Sequence, residues 1–262
     1  MRRPEEAIEL LAVRPARAGL FLDFDGTLAP IVEDPERARM PRELRPVLAD
    51  LAGVLGVLGV VSGRPAGFLA EQVDVVGVEL LGLYGMQRWR NGRAEADRAA
   101  ESWLDRVQEA RGRLEDALRG AEGVWVEDKG LAVAVHWRNA PDRDDAEHEV
   151  ALVVAALAVD SGLRVEDGKF VRELRPDVDW DKGRAVRALA EERGLSPVVF
   201  VGDDLGDLPA FAAARDGGGF AIAVSGAGET PVDLLAAADA VLPGPPAVRL
   251  WLEILRERLT AP

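Results

Sequence analysis

The 262-residue chain contains no cysteine. Disulfide bonds, thiolate nucleophiles and zinc sites with thiolate ligands are therefore excluded. A chain without disulfides is suited to a reducing cytoplasm, which is the compartment we expect. Histidine occurs only twice, as His136 in a strand-like run and His148 on a charged helical segment. Two histidines on different elements make neither a catalytic triad nor a zinc site, so we expect structural roles for both.

Positive charge is in deficit, because 46 Asp and Glu residues outnumber 32 Lys and Arg residues and the formal net charge is −14. Binding to nucleic-acid backbones requires clustered positive charge, so we expect no nucleic-acid partner. The longest apolar run, Leu51 to Val61, carries three glycines and is too short to span a membrane. The apolar stretch near the start carries Glu9 and does not resemble a signal peptide, so we expect no membrane partner.

Lysine is rare among the basic residues, and only Lys129, Lys169 and Lys182 are present. In a chain so dominated by arginine, a lysine indicates a position that needs a compact point charge. Lys169 follows Gly168 in a predicted hairpin, and we interpret its presence as chance. Lys129 and Lys182 lie in longer motifs, which favours a functional interpretation.

Short apolar runs alternate with segments of helical period, a pattern typical of an α/β fold. The runs show little polar alternation, as expected for strands of a parallel sheet that are buried on both faces. We predict strands at 19–22, 57–61, 78–83, 197–201, 220–224 and 240–242. The helices predicted between and after them span 42–51, 65–72, 183–193, 208–214 and 246–259.

The middle third of the chain predicts a second, smaller α/β domain. A helix at 99–119 precedes strands at 124–127 and 131–137, and a helix at 142–161 precedes strands at 163–166 and 170–174. This αββαββ order forms a local antiparallel sheet. We place the domain at 89–175, inserted into a main domain formed by 1–88 and 176–262. The Asn91-Gly92 turn and Arg175-Pro176 are predicted hinges.

The strongest chemical signal is the run Leu20-Phe21-Leu22-Asp23-Phe24-Asp25-Gly26-Thr27-Leu28. An apolar strand ends in one acid, and a second acid follows two residues later. Ligands of doubly wound sheets bind at the carboxyl ends of strands, where Asp23 would lie. Gly26 allows the backbone to turn closely around an anion. A simple turn explains one aspartate but not two, so a chemical role is favoured.

Three further motifs place polar groups at strand or helix ends. Ser62-Gly63-Arg64 follows one apolar run, and Gly202-Asp203-Asp204-Leu205-Gly206-Asp207 follows another. Asp181-Lys182-Gly183 places a lysine where a helix begins. Acids, a hydroxyl and a lysine at one edge of a sheet predict a site for a metal ion and a phosphate group. Mg²⁺ prefers oxygen ligands, which suits carboxylates.

These four motifs, in this order, resemble those of the haloacid dehalogenase phosphatases. Within that superfamily the chain is similar to trehalose-phosphate phosphatases at Val126–Gly130, at His136–Arg138, at Val171–Pro176 and where the last motif ends in Ala210-Phe211. It departs from them at Tyr84 and Gln87, where His and an acid are common, and at Gly206 and Leu208, where Thr and Glu are common. We expect these four positions to lie behind the residues that contact the substrate.

The resemblance implies a Rossmann-like parallel-sheet core with an inserted α/β cap, and a Mg²⁺-dependent phosphatase for a small sugar phosphate, trehalose 6-phosphate. Asp23 would be the nucleophile that forms an aspartyl-phosphate, and Asp25 the general acid and base. The remaining expected roles are catalysis by Ser62 and Lys182; substrate binding by Gly26, Thr27, Gly63, Arg64, Lys129 and Glu173; and metal binding by Asp23, Asp25, Asp203, Asp204 and Asp207.

Lys129 and Glu173 are expected to bind sugar hydroxyls, because each lies in a predicted hairpin of the inserted domain. A mutual salt bridge without such a role is the alternative. Two other functions remain open. One is a phosphatase for glucosyl- or mannosyl-3-phosphoglycerate or for a trehalose-like pseudo-disaccharide phosphate. The other is a sugar-phosphate-binding regulator without catalysis, which the intact Asp23, Asp25, Lys182 and Asp203 argue against.

Overall fold

A computed structural model describes residues 1–32, 37–168, 170–226 and 230–261, so Lys169 lies outside the described residues. Helices and strands of the described residues follow one another as α1 (Glu5–Val13), β1 (Gly19–Leu22), α2 (Leu44–Val54), β2 (Val57–Val61), α3 (Ala66–Val73), β3 (Val78–Gly82), β4 (Gln87–Arg90), β5 (Arg93–Ala96), α4 (Arg98–Glu101), α5 (Leu104–Ala117), β6 (Trp125–Asp128), β7 (Val133–His136), α6 (Arg143–Ser161), β8 (Leu163–Gly168), β9 (Val171–Pro176), α7 (Lys182–Arg193), β10 (Val198–Gly202), α8 (Leu208–Asp216), β11 (Phe220–Ser225), α9 (Val232–Ala237), β12 (Ala240–Pro243) and α10 (Gly244–Thr260).

The larger sheet has the strand order β12-β11-β10-β1-β2-β3-β4-β5. The six strands from β12 to β3 are parallel, and β4 pairs antiparallel with β3. Successive residues of a strand face opposite sides. Leu20 and Leu22 of β1 pack with α1, α2, α3 and α10, whereas Phe21 packs with α7 and α8. Burial of each such side chain contributes about 1.5–3 kcal/mol. The predicted parallel α/β core is confirmed.

The chain divides into two compact units, one formed by 1–95 and 180–262 and the other by 96–179. The first change of unit comes later than the predicted position 89, because β4 joins the larger sheet through pairs such as Leu81 with Arg88. Asn91 and Gly92, with φ of 53° and 77°, connect β4 to β5 within the first unit. Arg175 and Pro176 belong to β9 and pair with β8, and the hinge expected there stays a prediction.

The second unit has its own antiparallel sheet, with the strand order β6-β7-β9-β8. Its core joins Val107 and Leu114 of α5, Val150 of α6 and Leu174 of β9. The predicted αββαββ order is confirmed, although the first helix is divided into α4 and α5. Among the described residues, no helix combines the length and apolar composition that crossing a membrane requires.

Candidate active site

Two acidic residues come directly after neighbouring strands of the larger sheet. Asp23 follows β1 and Asp203 follows β10, and these strands are parallel neighbours. The N–H of Asp23 donates to the carbonyl of Val201 at 2.9 Å, which extends the strand pairing to Asp23. The carboxyl ends of parallel strands meet at one edge of a sheet, so both carboxylates lie there. Asp23 is buried and Asp203 is partly buried.

A buried lysine connects two of the acids. The Lys182 ammonium group donates from Nζ to Asp23 Oδ1 at 2.6 Å and to Asp207 Oδ1 at 2.7 Å. Lys182 begins α7, and Asp181 caps that helix by accepting the N–H of Arg184 at 2.7 Å. A buried charge is tolerated only when it is paired and hydrogen-bonded. The helix start therefore places the ammonium group between two carboxylates.

Asp207 fixes the loop that carries Asp203. Its Oδ2 accepts the N–H of Asp203 at 2.9 Å and that of Asp204 at 3.1 Å. Asp204 is exposed and caps the short 3₁₀ turn that ends at Asp207. Both oxygens of Asp207 thus accept hydrogen bonds, which suits a supporting position. Sequence reasoning named Asp203, Asp204 and Asp207 together as metal-binding residues. In the structure their surroundings differ, because Asp203 is partly buried, Asp204 is exposed and Asp207 is buried.

Gly26 brings the loop after β1 against Asp203. Its φ is 79°, and a Cβ at this position would lie 1.9 Å from Asp203 Oδ2. Glycine readily adopts this positive φ, and its lack of a side chain leaves room for the Asp203 carboxylate. The hydroxyl of the next residue, Thr27, is buried and has no hydrogen-bond partner among the described residues.

Asp25 and Arg64 form a two-point ion pair. Arg64 donates from Nε to Asp25 Oδ2 and from Nη2 to Asp25 Oδ1, both at 2.8 Å. The buried Ser62 accepts the N–H of Arg64 on Oγ at 3.2 Å, and Gly63 lies between them. The motif after β2 therefore lies beside the motif after β1.

The acids have raised pKa values. Burial raises the pKa of Asp23 well above its ordinary range, and Asp207 and Asp203 add to this, while Lys182 opposes it. Burial, Asp207 and Asp204 raise the pKa of Asp203 to about 7. Burial also raises the pKa of Asp207. Burial lowers the pKa of Lys182, but the carboxylates of Asp23 and Asp207 raise it by more, so its ammonium group stays charged.

The carboxylates fit a metal ion. Among the described residues, Asp23, Asp203 and Asp207 offer oxygen atoms that all lie within 4.8 Å of one another. Burial is the main cause of their raised pKa values, and the neighbouring carboxylates add to it, which one lysine does not offset. A cation with a preference for oxygen ligands would relieve this repulsion.

The remaining two candidates lie in the second unit. Lys129 donates from Nζ to Glu173 Oε2 at 2.5 Å, and the two side chains are 17% and 16% exposed. Lys129 follows β6, and Glu173 lies on β9 opposite Ala134. The structure thus brings these two residues to each other within that unit.

Sequence reasoning did not identify how Tyr84 and Gln87 support the site. Tyr84 has a φ of 59°, and its N–H donates to the carbonyl of Ser62 at 2.8 Å. Gln87 is buried and accepts the N–H of Ala66 at the start of α3, at 3.0 Å. The available signal was a polar glutamine two residues after Gly85, just beyond an apolar run.

The chain is similar to known proteins. Residues 21–233 match the family model described as trehalose-phosphatase. The chain is 39% identical over 204 residues to a trehalose-phosphate phosphatase of Mycolicibacterium paratuberculosis, covering 76% of this chain and 51% of that protein. It is 40% identical over 207 residues to an uncharacterized glycosyl hydrolase of Mycobacterium tuberculosis, covering 76% of this chain and 15% of that protein.

The fold is also similar to solved structures. A trehalose-6-phosphate phosphatase related protein superposes with a TM-score of 0.74 at 24% identity, covering 91% of this chain and 96% of that one. The chain spans about half the length of the mycobacterial trehalose-phosphate phosphatases it matches.

Proposed function

The chain belongs to the trehalose-phosphatase family, and we propose that it hydrolyses trehalose 6-phosphate to trehalose and phosphate with Mg²⁺ as cofactor. The observation that carries the proposal is the buried Lys182, which joins Asp23 to Asp207 beside Asp203 at the carboxyl edge of the sheet. A phosphoryl acceptor, a cation and a metal-binding carboxylate are the groups that phosphoryl transfer to a carboxylate requires.

In the first step, an ionised oxygen of Asp23 attacks phosphorus and the bond between phosphorus and the sugar oxygen breaks. Asp25 donates its proton to that oxygen, so trehalose leaves as an alcohol. In the second step, water attacks the phosphorus of the aspartyl-phosphate. Asp25 takes a proton from this water, and the bond from phosphorus to Asp23 breaks.

Ser62, Lys182 and the backbone at Gly26, Thr27 and Gly63 would bind the oxygens of the phosphoryl group. An ammonium group has three protons, and among the described residues two of them are used by Asp23 and Asp207. The third is suited to a phosphoryl oxygen. Preorganised donors of this kind stabilise the transition state with little reorganisation.

Asp23, Asp203 and the backbone carbonyl of Asp25 would hold Mg²⁺, with Asp204 and Asp207 in supporting positions. When bound, the ion supplies positive charge that offsets repulsion between the carboxylates and the phosphate. The chain's own contribution is the dense set of carboxylates, whose pKa values are raised mainly by burial and further by one another. Their oxygen donors suit Mg²⁺ better than they suit Zn²⁺.

The test is phosphate release by the purified protein from trehalose 6-phosphate, glucosyl- and mannosyl-3-phosphoglycerate and p-nitrophenyl phosphate. We expect the highest kcat/KM on trehalose 6-phosphate, loss of activity in excess EDTA and recovery with Mg²⁺. Asp23→Asn should abolish turnover and leave the fold intact by circular dichroism. Release from none of the esters, recovery with Zn²⁺ alone, or normal turnover by Asp23→Asn would contradict the proposal.

A further inference from the structure

Arg64 makes several contacts in addition to its ion pair with Asp25. Its guanidinium carbon lies 4.8 Å from the centre of the Phe68 ring, and that ring meets the Phe24 ring edge to face at 5.7 Å. Its N–H donates to Ser62 Oγ, and its carbonyl accepts the N–H of Leu83 at 2.9 Å. These contacts fix both the backbone and the guanidinium plane.

Asp25, in contrast, lies on a turn beyond the end of β1, with its side chain 36% exposed. The contacts that orient its carboxylate are the two hydrogen bonds from Arg64, each 2.8 Å long. A guanidinium fork matches a carboxylate in a single orientation, which a lysine ammonium group does not reproduce.

We infer that Arg64 is a positioning residue: it orients Asp25 for proton transfer to the leaving sugar oxygen, instead of serving mainly to bind the phosphate. This inference rests on the proposed function. A protonated Asp25 can still accept one N–H of Arg64 on its carbonyl oxygen, which leaves its hydroxyl to donate. Misplacement of an acid by about 1 Å can reduce the rate about 100-fold.

The inference has a consequence that phosphate binding by Arg64 does not share. A sugar oxygen leaves as a strongly basic alkoxide unless it is protonated, whereas 2,4-dinitrophenolate leaves without a proton. Loss of a well-placed acid therefore slows phosphoryl transfer to Asp23 from the first ester and spares this step with the second ester. The later attack by water is common to both esters. Loss of a phosphate ligand slows both, because both esters carry the same phosphoryl group.

The experiment compares the wild-type protein with Arg64→Lys, which keeps the charge but loses the fork. Phe68→Leu is a second variant, which keeps the arginine but removes the ring beneath it. Arg88→Lys is a matched control, since Arg88 also forms a two-point pair, with Glu79 at 2.9 and 2.8 Å, and has a 14% exposed side chain. Release of trehalose from trehalose 6-phosphate and of dinitrophenolate from 2,4-dinitrophenyl phosphate is followed in a single turnover, which reports the first step alone. Steady-state kinetics give kcat and KM for trehalose 6-phosphate, and folding is checked by thermal unfolding.

For Arg64→Lys we expect the rate on trehalose 6-phosphate to fall about 10- to 100-fold and the rate on the dinitrophenyl ester to fall less than about threefold. KM should change little. Phe68→Leu should show the same pattern more weakly, Asp25→Asn should show it more strongly, and Arg88→Lys should not show it.

Equal losses on the two esters, a rise in KM without a fall in kcat, or unchanged rates would overturn the inference while the wild-type turnover still supports the proposed function. A wild-type protein that turns over neither ester would overturn the proposed function, and this inference with it.

Discussion

At the scale of single residues, the close packing of acid side chains against glycines decides which substitutions the site tolerates. Gly26 allows Asp203 to lie against the loop after β1, and it does so at a φ of 79° that other residues rarely adopt. Gly202 is equally constrained, since a Cβ there would lie 2.3 Å from Asp207 Cγ. Asp203 and Asp207 are thus each packed against the backbone of a glycine.

Gly26→Ala should therefore reduce both stability and Mg²⁺-dependent activity. The added methyl group would displace the Asp203 carboxylate, and the backbone strain alone costs roughly 1 kcal/mol or more. Gly53→Ala is the matched control, because nothing lies within 4 Å of a Cβ at this helical position and the substitution should stabilise by about 0.5–1 kcal/mol. Thermal unfolding and phosphate release measure the two effects. Equal behaviour of the two variants would contradict the argument.

At the scale of elements, the start of α7 positions Lys182 in the site. Asp181 accepts the N–H of Arg184 and so fixes the first turn, on which Lys182 stands. Asp142 caps α6 in the second unit in the same way, by accepting the N–H of Asp144 and of Asp145. The two caps are chemically alike but serve different helices.

Asp181→Ala and Asp142→Ala should each destabilise the protein by about 1 kcal/mol, the usual cost of losing such a cap. Only Asp181→Ala should also lower kcat, by roughly tenfold, because the Lys182 ammonium group loses its fixed position. Chemical denaturation and steady-state kinetics provide the measurements. If both variants lose kcat in proportion to stability, the cap of α7 has no particular catalytic effect.

Helices and strands were predictable from the local sequence pattern, whereas the pairing of strands into sheets was less predictable. The apolar runs that became β1, β2, β10 and β11 were recognisable because both faces of these strands are buried. The β4–β5 hairpin was not recognised as a part of the larger sheet. Gln87 to Arg90 carries mostly polar residues, as an edge region does, so it lacks the apolar signal of the central strands.

In the site, too, local pattern predicted the residues better than it predicted their pairing. Sequence motifs named Asp23, Lys182, Asp203 and Asp207, whose carboxylates and ammonium group the structure brings together. The pairing of Arg64 with Asp25 was not foreseen, since it joins residues 39 positions apart through side-chain directions that local pattern does not encode. Their expected roles in catalysis and binding stay predictions until the variants are measured.

At the scale of the whole molecule, the two compact units carry different chemistry. The first holds the residues proposed to bind phosphate and metal, which every sugar phosphate would engage alike. We propose that the second unit contributes sugar recognition through Lys129 and Glu173, which form a largely buried pair. A site that hydrogen-bonds a hydroxyl rejects analogues that lack it.

Lys129→Ala or Glu173→Ala should lower kcat/KM for trehalose 6-phosphate by roughly tenfold or more, as loss of a charged hydrogen bond of about 1.5–3 kcal/mol implies. Hydrolysis of p-nitrophenyl phosphate, which has no sugar, should change far less. Arg113→Ala is the control, because it breaks an exposed ion pair with Asp160 in the same unit. Equal losses on both esters would leave only a structural role for Lys129 and Glu173.

The charge balance of the site should also appear in the stability of the whole protein. Asp203 has a pKa of about 7 when folded, against an ordinary value of 3.8, and the pKa values of Asp23 and Asp207 are raised as well. Between the ordinary and the raised values the folded state holds more protons than the unfolded state, so stability falls as pH rises through this window. The raised pKa of Lys182 acts only in the alkaline range and does not change the sign.

In EDTA, the Tm should therefore fall between about pH 5 and about pH 7.5. We propose that Mg²⁺ binds ionised carboxylates of the folded state, so it should raise Tm more at the higher pH than at the lower. Asp203→Asn removes one of the repelling charges and one of the proposed metal ligands, and should flatten both dependences. Asp160→Asn, at an exposed position of the second unit, should leave them unchanged. A Tm that rises over this range in EDTA, or an equal effect of Mg²⁺ at both pH values, would show that the buried carboxylates do not control the stability of the metal-free protein.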